Sequence, residues 1–425
     1  MYDLANQSFQ LLVNTLLFGI YVTNVVATDP KSGKGLWTLM IGVSMLAVVV
    51  LSPIVGAIAD ERACKKRMLI GGGLVAVVLT SMLALLGPGM AWQAFALYVV
   101  AAVMVGLGEN LLGAFLPSLS TPGTVGRVSA IGWTMSYAGA LMLLGITSVV
   151  VFGLGITDPA QWRWLFVLSG VWFLAGMLPA VFILRERRGR GGGRSARSHP
   201  PIREIVGRSL GRLRDTLRQA ARYRQLTRFM FAFFVYSLGT YTVIFYAGLI
   251  GDGFGFGIGQ LTLLALVMAG CAGASSVGTA WVQDRLGHRR TIGVFLVIWV
   301  ASTLALAAMA RRFAIDGPSP EVQRYFWLIS AGIGFGLGGV GTASRAMVGA
   351  FTPKDKSGEF FGVWGMVFKL AGVAGPVAFG QASRYFGQPV SLLVLCGFFA
   401  AGLALLMRVD EGEGRAGARG SGVAQ

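Results

Sequence analysis

The chain is poor in charged residues. Only 13% of its 425 residues are charged, whereas 55% are hydrophobic, and the mean hydropathy is +0.68. Soluble domains carry roughly 25% charged residues, so this composition excludes an ordinary soluble fold. Apolar runs of about 18 or more residues recur along the chain instead, and runs of that length can cross a hydrocarbon core of about 30 Å.

Cysteine and histidine are also scarce, which excludes several kinds of site. The three cysteines, Cys64, Cys271 and Cys396, fit neither a disulfide framework nor the spacing of zinc ligands. The two histidines, His199 and His288, have no acid-rich cluster beside them that would complete a metal site. No glycine-rich loop is placed to cradle a phosphate. We therefore expect no metal, no cofactor and no enzymatic activity.

The apolar runs predict an all-α membrane protein with twelve transmembrane helices in two pseudo-symmetric six-helix bundles. The predicted spans are 3–27, 36–58, 68–87, 91–116, 128–154, 162–184, 228–250, 258–283, 291–310, 325–349, 360–382 and 389–407. The corresponding domains are an N-terminal bundle at 1–184, a linker at 185–227, a C-terminal bundle at 228–408 and a disordered cytoplasmic tail at 409–425.

Lysine and arginine predict the orientation. They concentrate in the loops after even-numbered spans, which the positive-inside rule assigns to the cytoplasm, together with both termini. We expect a multi-pass protein of the cell (inner) membrane and a monomer. The loop from Arg311 to Arg324 is the weakest part of this charge bias.

The net charge of +18 is concentrated in the linker. Residues 185–228 contain fourteen arginines and three acidic residues, so this stretch alone supplies +11. Its second part has the spacing of a basic amphipathic helix, which predicts binding to anionic lipid headgroups on the cytoplasmic side. The alternative is a solvated linker that only enforces the topology. Nucleic acid is not an expected partner.

A short charged loop occurs once in each half of the chain. The first copy follows span two and contains Asp60, and the second follows span eight and contains Asp284. Other strings repeat as well: Gly113-Ala-Phe-Leu-Pro117 matches Gly349-Ala-Phe-Thr-Pro353 at the ends of spans four and ten. Two six-helix halves joined by a linker are typical of a secondary transporter, with its site between the halves near the midplane.

The pattern Asp-Arg-x-Gly-x-Arg-Arg at 284–290 resembles the loop signature of the major facilitator superfamily, whereas the first copy has Ala63 where the signature has glycine. Further strings resemble one branch, the vacuole effluxer-like family named after a yeast vacuolar amino-acid exporter. These are Tyr2-Asp3-Leu-Ala5-Asn6-Gln-Ser8-Phe9, Gly126-Arg-Val-Ser-Ala-Ile-Gly-Trp133, Ser344-Arg345 and Glu359-Phe-Phe-Gly362.

The resemblance implies a gating role for the charged loops. From the residues alone, the loops are either a topology signal or a cytoplasmic latch, in which an aspartate caps the N-terminus of a neighbouring helix. The resemblance favours the latch. The predicted gating residues are Asp60, Lys65, Lys66, Arg67, Asp284, Arg285, Arg289 and Arg290.

Polar side chains within the spans are the candidates for the solute site. In span one, Asn6, Gln7, Gln10 and Asn14 lie on one helical face together with Asp3. This stripe predicts either a cavity wall or an interhelical hydrogen-bond seam. On span seven, the symmetry mate of span one, we expect Tyr236, Thr240 and Tyr241 to face the same cavity.

Ionisable groups inside a membrane are costly, so each is a candidate functional group. Glu109 and Asp3 are predicted to couple transport to protons, and Lys369 and Arg345 to bind an anionic group of the solute. The alternatives are a structural ion pair that braces the bundle or, for Arg345, a side chain that extends to the headgroups.

We predict a secondary active transporter that moves a small polar or zwitterionic solute by alternating access, coupled to protons or another ion. The resemblance implies amino acids. The alternatives are efflux of a larger amphiphile, a non-transporting sensor or assembly partner with the same fold, and an accessory to lipid handling.

Overall fold

The structure is a computed structural model. It describes residues 1–121, 123–149, 153, 158–184, 223–253, 258–316, 320–353 and 356–420. The predicted amphipathic helix of the linker lies outside the described residues.

The described residues fold into twelve long helices at the predicted positions. The first half forms α1 (Tyr2–Val26), α2 (Pro30–Glu61), α3 (Lys65–Met82), α4 (Ala91–Gly113), α5 (Val125–Ser148) and α6 (Arg163–Ile183). The second half forms α7 (Arg224–Gly253), α8 (Ile258–Leu286), α9 (His288–Asp316), α10 (Pro320–Phe351), α11 (Ser357–Ser383) and α12 (Tyr385–Leu406). Three short helical turns accompany these helices: Leu83–Leu85 extends α3, Leu116–Leu119 follows α4, and Pro159–Trp162 precedes α6.

These helices confirm the prediction of an all-α membrane protein with twelve spans. Within the described ranges, eleven helices are long and apolar enough to cross a membrane, and α7, at 30 residues, occupies the position of the remaining span. The helical run Ser357–Leu406 contains both α11 and α12, and Gly387, at φ 80° and ψ 173°, interrupts it near the beginning of α12.

By contacts, the chain divides into two compact units that are not simply its two halves. One unit comprises Met1–Ser118, Met135–Arg218 and Lys354–Met366. The other comprises Leu119–Thr134, Gln219–Pro353 and Val367–Gln425. The first unit therefore includes the beginning of α11, a helix of the second half of the sequence. The second unit includes the beginning of α5, a helix of the first half.

In the first unit, aromatic rings pack the helices together around Phe18 of α1. Its ring centroid lies 5.4 Å from that of Tyr98 on α4, 5.6 Å from Phe166 on α6 and 5.9 Å from Trp37 on α2. Phe18 and Tyr98 are stacked, and the other two pairs are edge-to-face. Such aromatic pairs stabilise a core beyond their burial, so α1 is held from three sides.

In the second unit, small residues let α10 approach its neighbours closely. A Cβ atom on Gly338 would lie 2.0 Å from the carbonyl oxygen of Ala272 on α8, and one on Gly339 would lie 2.2 Å from the ring of Phe295 on α9. Small residues at such positions allow the close packing that holds helices together in lipid. Trp299 of α9 stacks on Phe399 of α12 at 4.5 Å.

The segment after α12 differs from the expected disordered tail. Residues Glu411–Gly420 form a helix, α13, which packs in the second unit. Disorder is the expectation from the sequence, but hydrogen bonds accepted by the Asp410 and Glu411 carboxylates order this segment.

Candidate functional site

The first charged loop binds the beginning of α11. Asp60, near the end of α2, accepts a hydrogen bond from the backbone N–H of Glu359 at 2.7 Å and another from that of Gly358. The Lys65 ammonium lies 2.5 Å from the Asp60 carboxylate and donates to the Ser357 hydroxyl at 2.8 Å. A carboxylate at this position satisfies amides that a helix leaves unpaired and complements the helix dipole.

The second charged loop binds the beginning of α5 in the same way. Asp284, near the end of α8, accepts from the backbone N–H of Gly126 at 2.9 Å and from that of Arg127 at 3.0 Å. The neighbouring Gln283 side chain donates to the Gly126 carbonyl. Each aspartate therefore caps a helix that belongs to the opposite half of the sequence.

A buried serine adds a second contact to each cap. Ser52 lies about two helical turns before Asp60 and donates to the Gly362 carbonyl of α11 at 2.9 Å. Ser276 lies about two turns before Asp284 and donates to the Ala130 carbonyl of α5 at 3.4 Å. We call each aspartate, its serine and the helix start that they bind a capping junction.

The first capping junction extends to α4 through Asn110. The side-chain amide of Asn110 donates to the Ser52 hydroxyl at 2.6 Å. Gly365 of α11 packs directly against Asn110, because a Cβ atom there would lie 2.0 Å from the amide nitrogen. Sequence reasoning missed Asn110, although its position next to Glu109 in an apolar helix was a usable signal.

The two loops differ in the residue that turns the chain. Gly287 has φ 90°, in the left-handed region that favours glycine, and Ala63 occupies the same place in the first loop with φ 46°. Ala63, where the first loop departs from the signature, is therefore a non-glycine residue held in a left-handed turn. The lysine and arginine after the turn also differ: Lys65 pairs with Asp60, whereas the Arg289 guanidinium donates to the Val409 carbonyl at 2.8 Å.

The other predicted gating residues lie at the edge of the loops. Arg67, Arg285 and Arg290 are exposed, and Lys66 is partly buried. The gating role of all eight residues stays a prediction, and its geometric support comes from Asp60, Lys65 and Asp284.

The predicted polar face of span one is carried on a distorted helix. Residues Ser8–Leu17 of α1 are π-helical, a rare geometry that often marks functional sites. The Asn14 side chain accepts from the Tyr98 hydroxyl at 2.5 Å and donates to Gln10 at 3.3 Å. Gln7 donates to the Ser136 hydroxyl at 2.6 Å.

Part of this face therefore forms an interhelical seam. Gln7 and Asn14 bind neighbouring helices, and Asn6 is buried, whereas Gln10 and Asp3 are partly buried. Tyr98 and Ser136, which were not among the predicted site residues, complete the seam. Each of these two residues places a hydroxyl group within a predicted span, and that feature could have marked it as a candidate.

On the second unit, the predicted residues of α7 separate into two kinds. The Tyr236 hydroxyl hydrogen-bonds to Ser344 at 2.7 Å, and the Thr240 hydroxyl donates to the Tyr236 carbonyl at 3.2 Å, so both polar groups are engaged. The ring of Tyr241 instead faces Lys369, whose ammonium lies 5.7 Å from the ring centroid. That distance is within the range of a cation–π interaction.

The remaining ionisable candidates, Glu109 and Arg345, are partly buried within α4 and α10. They belong to different compact units, and their predicted pairing stays a prediction. No group of three metal-ligating side chains occurs in the described parts of the chain.

Comparison with solved structures identifies the class of fold. The human organic anion transporter MFSD10 superposes with a TM-score of 0.66 at 16% identity, covering 95% of this chain and 96% of that one. The proton:xylose symporter XylE superposes with a TM-score of 0.71 at 13% identity, covering 97% and 95%. The twelve helices thus have the fold of the major facilitator superfamily.

The chain belongs to the vacuole effluxer Atg22-like family, whose profile matches residues 30–419. The Bacillus subtilis uncharacterized MFS-type transporter YxiO is 24% identical over 424 residues, which cover 97% of this chain and 94% of that protein. Autophagy-related protein 22-1 of Penicillium rubens is 25% identical over 323 residues, covering 69% and 51%. The chain thus spans about half the length of that fungal relative.

These relationships confirm the resemblance seen in the sequence. The protein is a multi-pass integral membrane protein and an MFS-type transporter.

Proposed function

We propose that this transporter is secondary active and moves a small polar or zwitterionic solute by alternating access. The duplicated capping junction is the observation that carries the proposal. Each junction joins helices from opposite halves of the sequence through a few hydrogen bonds at helix ends. Water can replace such bonds, so two matched junctions suit a gate that opens on one side of the membrane.

The proposed solute-binding residues include a cation and several amide groups. Lys369 is partly buried within α11, where a charged side chain costs about 2.5–3.5 kcal/mol. We infer that Lys369 is charged at this position because its ammonium binds a carboxylate or another anionic group of the solute. Arg345 is a second candidate for this role. Gln10 and Asn14 on α1 are further proposed solute-binding residues, and the family resemblance implies amino acids.

Proton coupling is proposed for the partly buried carboxylates Glu109 and Asp3. A charged carboxylate is costly inside a membrane, so a carboxyl group within a span is a candidate functional group. Glu109 lies next to Asn110, which binds Ser52 in the first capping junction. Protonation of Glu109 would therefore act close to a gate.

We place the protein in the cell membrane with both termini in the cytoplasm, because the positive-inside bias supports that orientation. The arginine-rich segment at 185–227 would then meet anionic lipids of the inner leaflet. The transporter would work as a monomer, since a single chain supplies both halves.

A thermal-shift screen of amino acids and other small metabolites at two pH values tests the proposal. The purified full chain should be stabilised by at least one solute, and the stabilisation should change with pH. Glu109→Gln should remove the pH dependence, whereas Asp158→Asn, a carboxylate in the loop before α6, should leave it unchanged. Stabilisation by no solute at either pH would favour a non-transporting membrane protein.

The cation–π pair offers a matched test of the solute site. Lys369→Met should abolish stabilisation by carboxylate-bearing solutes. Tyr241→Phe keeps the ring and should behave like the native protein, whereas Tyr241→Leu should weaken solute binding. Equal solute binding by Lys369→Met and the native protein would reject Lys369 as the anion site.

A further inference from the structure

The ordered tail helix α13 binds the second charged loop. The Glu411 carboxylate accepts hydrogen bonds from two successive backbone amides at the start of α9, those of His288 at 3.1 Å and Arg289 at 2.9 Å. This is the same arrangement that Asp60 and Asp284 make with α11 and α5. Glu411 therefore caps a third helix, and the loop between α8 and α9 is held at both ends.

Several contacts fix Glu411 in this position. Asp410 accepts from the backbone N–H of Glu413 at 2.9 Å and so caps α13 itself. Arg415, one turn further along, forms an ion pair with Glu411. The Arg289 guanidinium donates to the Val409 carbonyl. This hydrogen bond ties the start of α9 to the short segment between α12 and α13.

The beginning of α7 is bound into the same cluster. The buried Gln225 side chain accepts from the backbone N–H of Asp410 at 2.9 Å and donates to the Glu413 carboxylate at 2.6 Å. The ring of Phe351, at the end of α10, packs closely on Gly414. A Cβ atom on Gly414 would lie 2.5 Å from this ring. Three helix ends and the tail thus meet around the turn at Gly287.

The position of this turn connects the tail to the gate. Asp284 precedes Gly287, and a Cβ atom on Gly287 would lie 3.0 Å from the Glu411 carboxylate. If the start of α9 were released, the short loop would lose its fixed end, and Asp284 would no longer be aimed at the amides of Gly126 and Arg127. The tail acts on the capping junction through this loop.

We propose that Glu411 is a positioning residue that holds the second charged loop so that Asp284 can cap α5. The inference rests on the proposed gating role of Asp284. It assigns the C-terminal segment a part in the transport cycle: the tail keeps one end of the loop fixed while the Asp284 cap breaks and re-forms.

A thiol placed in the second capping junction would report on this effect. In a full-length background with Cys64, Cys271 and Cys396 changed to serine, Ala130→Cys introduces one fully buried thiol beside the Ser276 contact. The rate of its reaction with the membrane-permeant reagent N-ethylmaleimide, measured in proteoliposomes, follows opening of the junction. Ala57→Cys, buried in α2 about one turn before Asp60, serves as the reporter for the first junction.

The expected result is a local change. Glu411→Ala should raise the labelling rate of Ala130→Cys about fivefold, the change expected for loss of one helix cap. Glu411→Gln, which keeps an acceptor oxygen, should have a smaller effect. Neither should change the labelling of Ala57→Cys, whereas Asp60→Asn should raise it.

Three outcomes would overturn the inference, and they are distinguishable. A rise with Asp284→Asn but none with Glu411→Ala would refute the role of the tail while keeping the gate. A rise at both reporters with Glu411→Ala would show general destabilisation instead of positioning. No rise with Asp284→Asn would refute the gate in the proposed function, and the role of Glu411 would fall with it.

Discussion

The carboxylate of Asp284 accepts the backbone N–H of Gly126 at 2.9 Å, so the loop after the eighth span holds the beginning of the fifth. Asp60 makes the matching contact with Glu359 in the first unit. The two copies of the charged loop thus share a contact as well as a sequence pattern, because each binds the beginning of a helix. They differ in detail, and these differences provide matched variants for testing each junction against the other.

The close approach of α2 and α11 predicts a large effect of a single methyl group. A Cβ atom on Gly56 would lie 2.1 Å from the Gly358 carbonyl oxygen, whereas the equivalent position of the second junction is Ala280. Gly56→Ala should therefore destabilise the closed junction by about 1–3 kcal/mol, as overpacking usually does. The measurement is the thermal unfolding midpoint in detergent. Ala280→Gly is the control, and an equal loss in both variants would contradict this prediction.

The left-handed turns predict opposite effects of exchanging alanine and glycine. Ala63→Gly relieves a strained backbone at φ 46° and should raise stability, by less than about 1 kcal/mol because glycine also makes the unfolded chain more flexible. Gly287→Ala should lower stability by about 1–2 kcal/mol. Both are read from the unfolding midpoint. Destabilisation by Ala63→Gly would show that the turn does not strain Ala63.

The contact between Gly365 and Asn110 predicts a rescue. Gly365→Ala would place a methyl group on the Asn110 side chain and displace its hydrogen bond to Ser52. We expect a lower yield of folded protein and a lower unfolding midpoint. Asn110→Gly in the same chain should restore much of the loss, because it removes the clashing amide. If the double variant is as unstable as the sum of the two single variants, the contact is not the cause.

The pKa of Glu411 predicts a pH dependence of stability. Burial acts to raise the pKa of this carboxyl, but the hydrogen bonds from Arg289 and His288 and the nearby positive charge outweigh burial and hold the pKa below its ordinary value of 4.5. A carboxyl with a lowered pKa stabilises the fold above its ordinary pKa, and that stability is lost as the pH falls through the lowered value.

The unfolding midpoint of the native chain should therefore fall on acidification below about pH 4.5, and part of this fall should disappear in Glu411→Gln. The comparison of the two chains at pH 6, 5, 4 and 3.5 isolates the contribution of Glu411. Parallel curves for the two chains would mean that this carboxyl is not stabilised in the folded state.

Much of the fold follows from the sequence because membrane spans depend on local composition. All twelve predicted spans coincide with helices, since about 20 apolar residues in lipid satisfy their backbone only as a helix. The distortion of α1 over Ser8–Leu17 was not predicted, because a π-helix has nearly the same composition as an α-helix. The helix at Glu411–Gly420 was missed because its partners, Gln225 and Arg289, are distant in sequence.

The candidate site was predicted in type but not in partners. The sequence showed that Asp60 and Asp284 occupy equivalent places, yet it could not show that they bind Glu359 and Gly126, because those contacts depend on packing between opposite halves. The polar stripe of α1 was recognised, whereas Tyr98, which binds Asn14, was not. A hydroxyl on one helix gives no sequence signal for the amide it will meet.

A disulfide across the second capping junction tests the central claim most directly. A Cβ atom on Gly126 would lie 2.5 Å from the Cγ atom of Gln283, so the pair Gly126→Cys and Gln283→Cys is close enough to form a disulfide. In a background without other cysteines, flux of the solute found by thermal shift should stop on oxidation and return on reduction. Unchanged flux in the fully cross-linked protein would contradict the claim that this junction opens during transport.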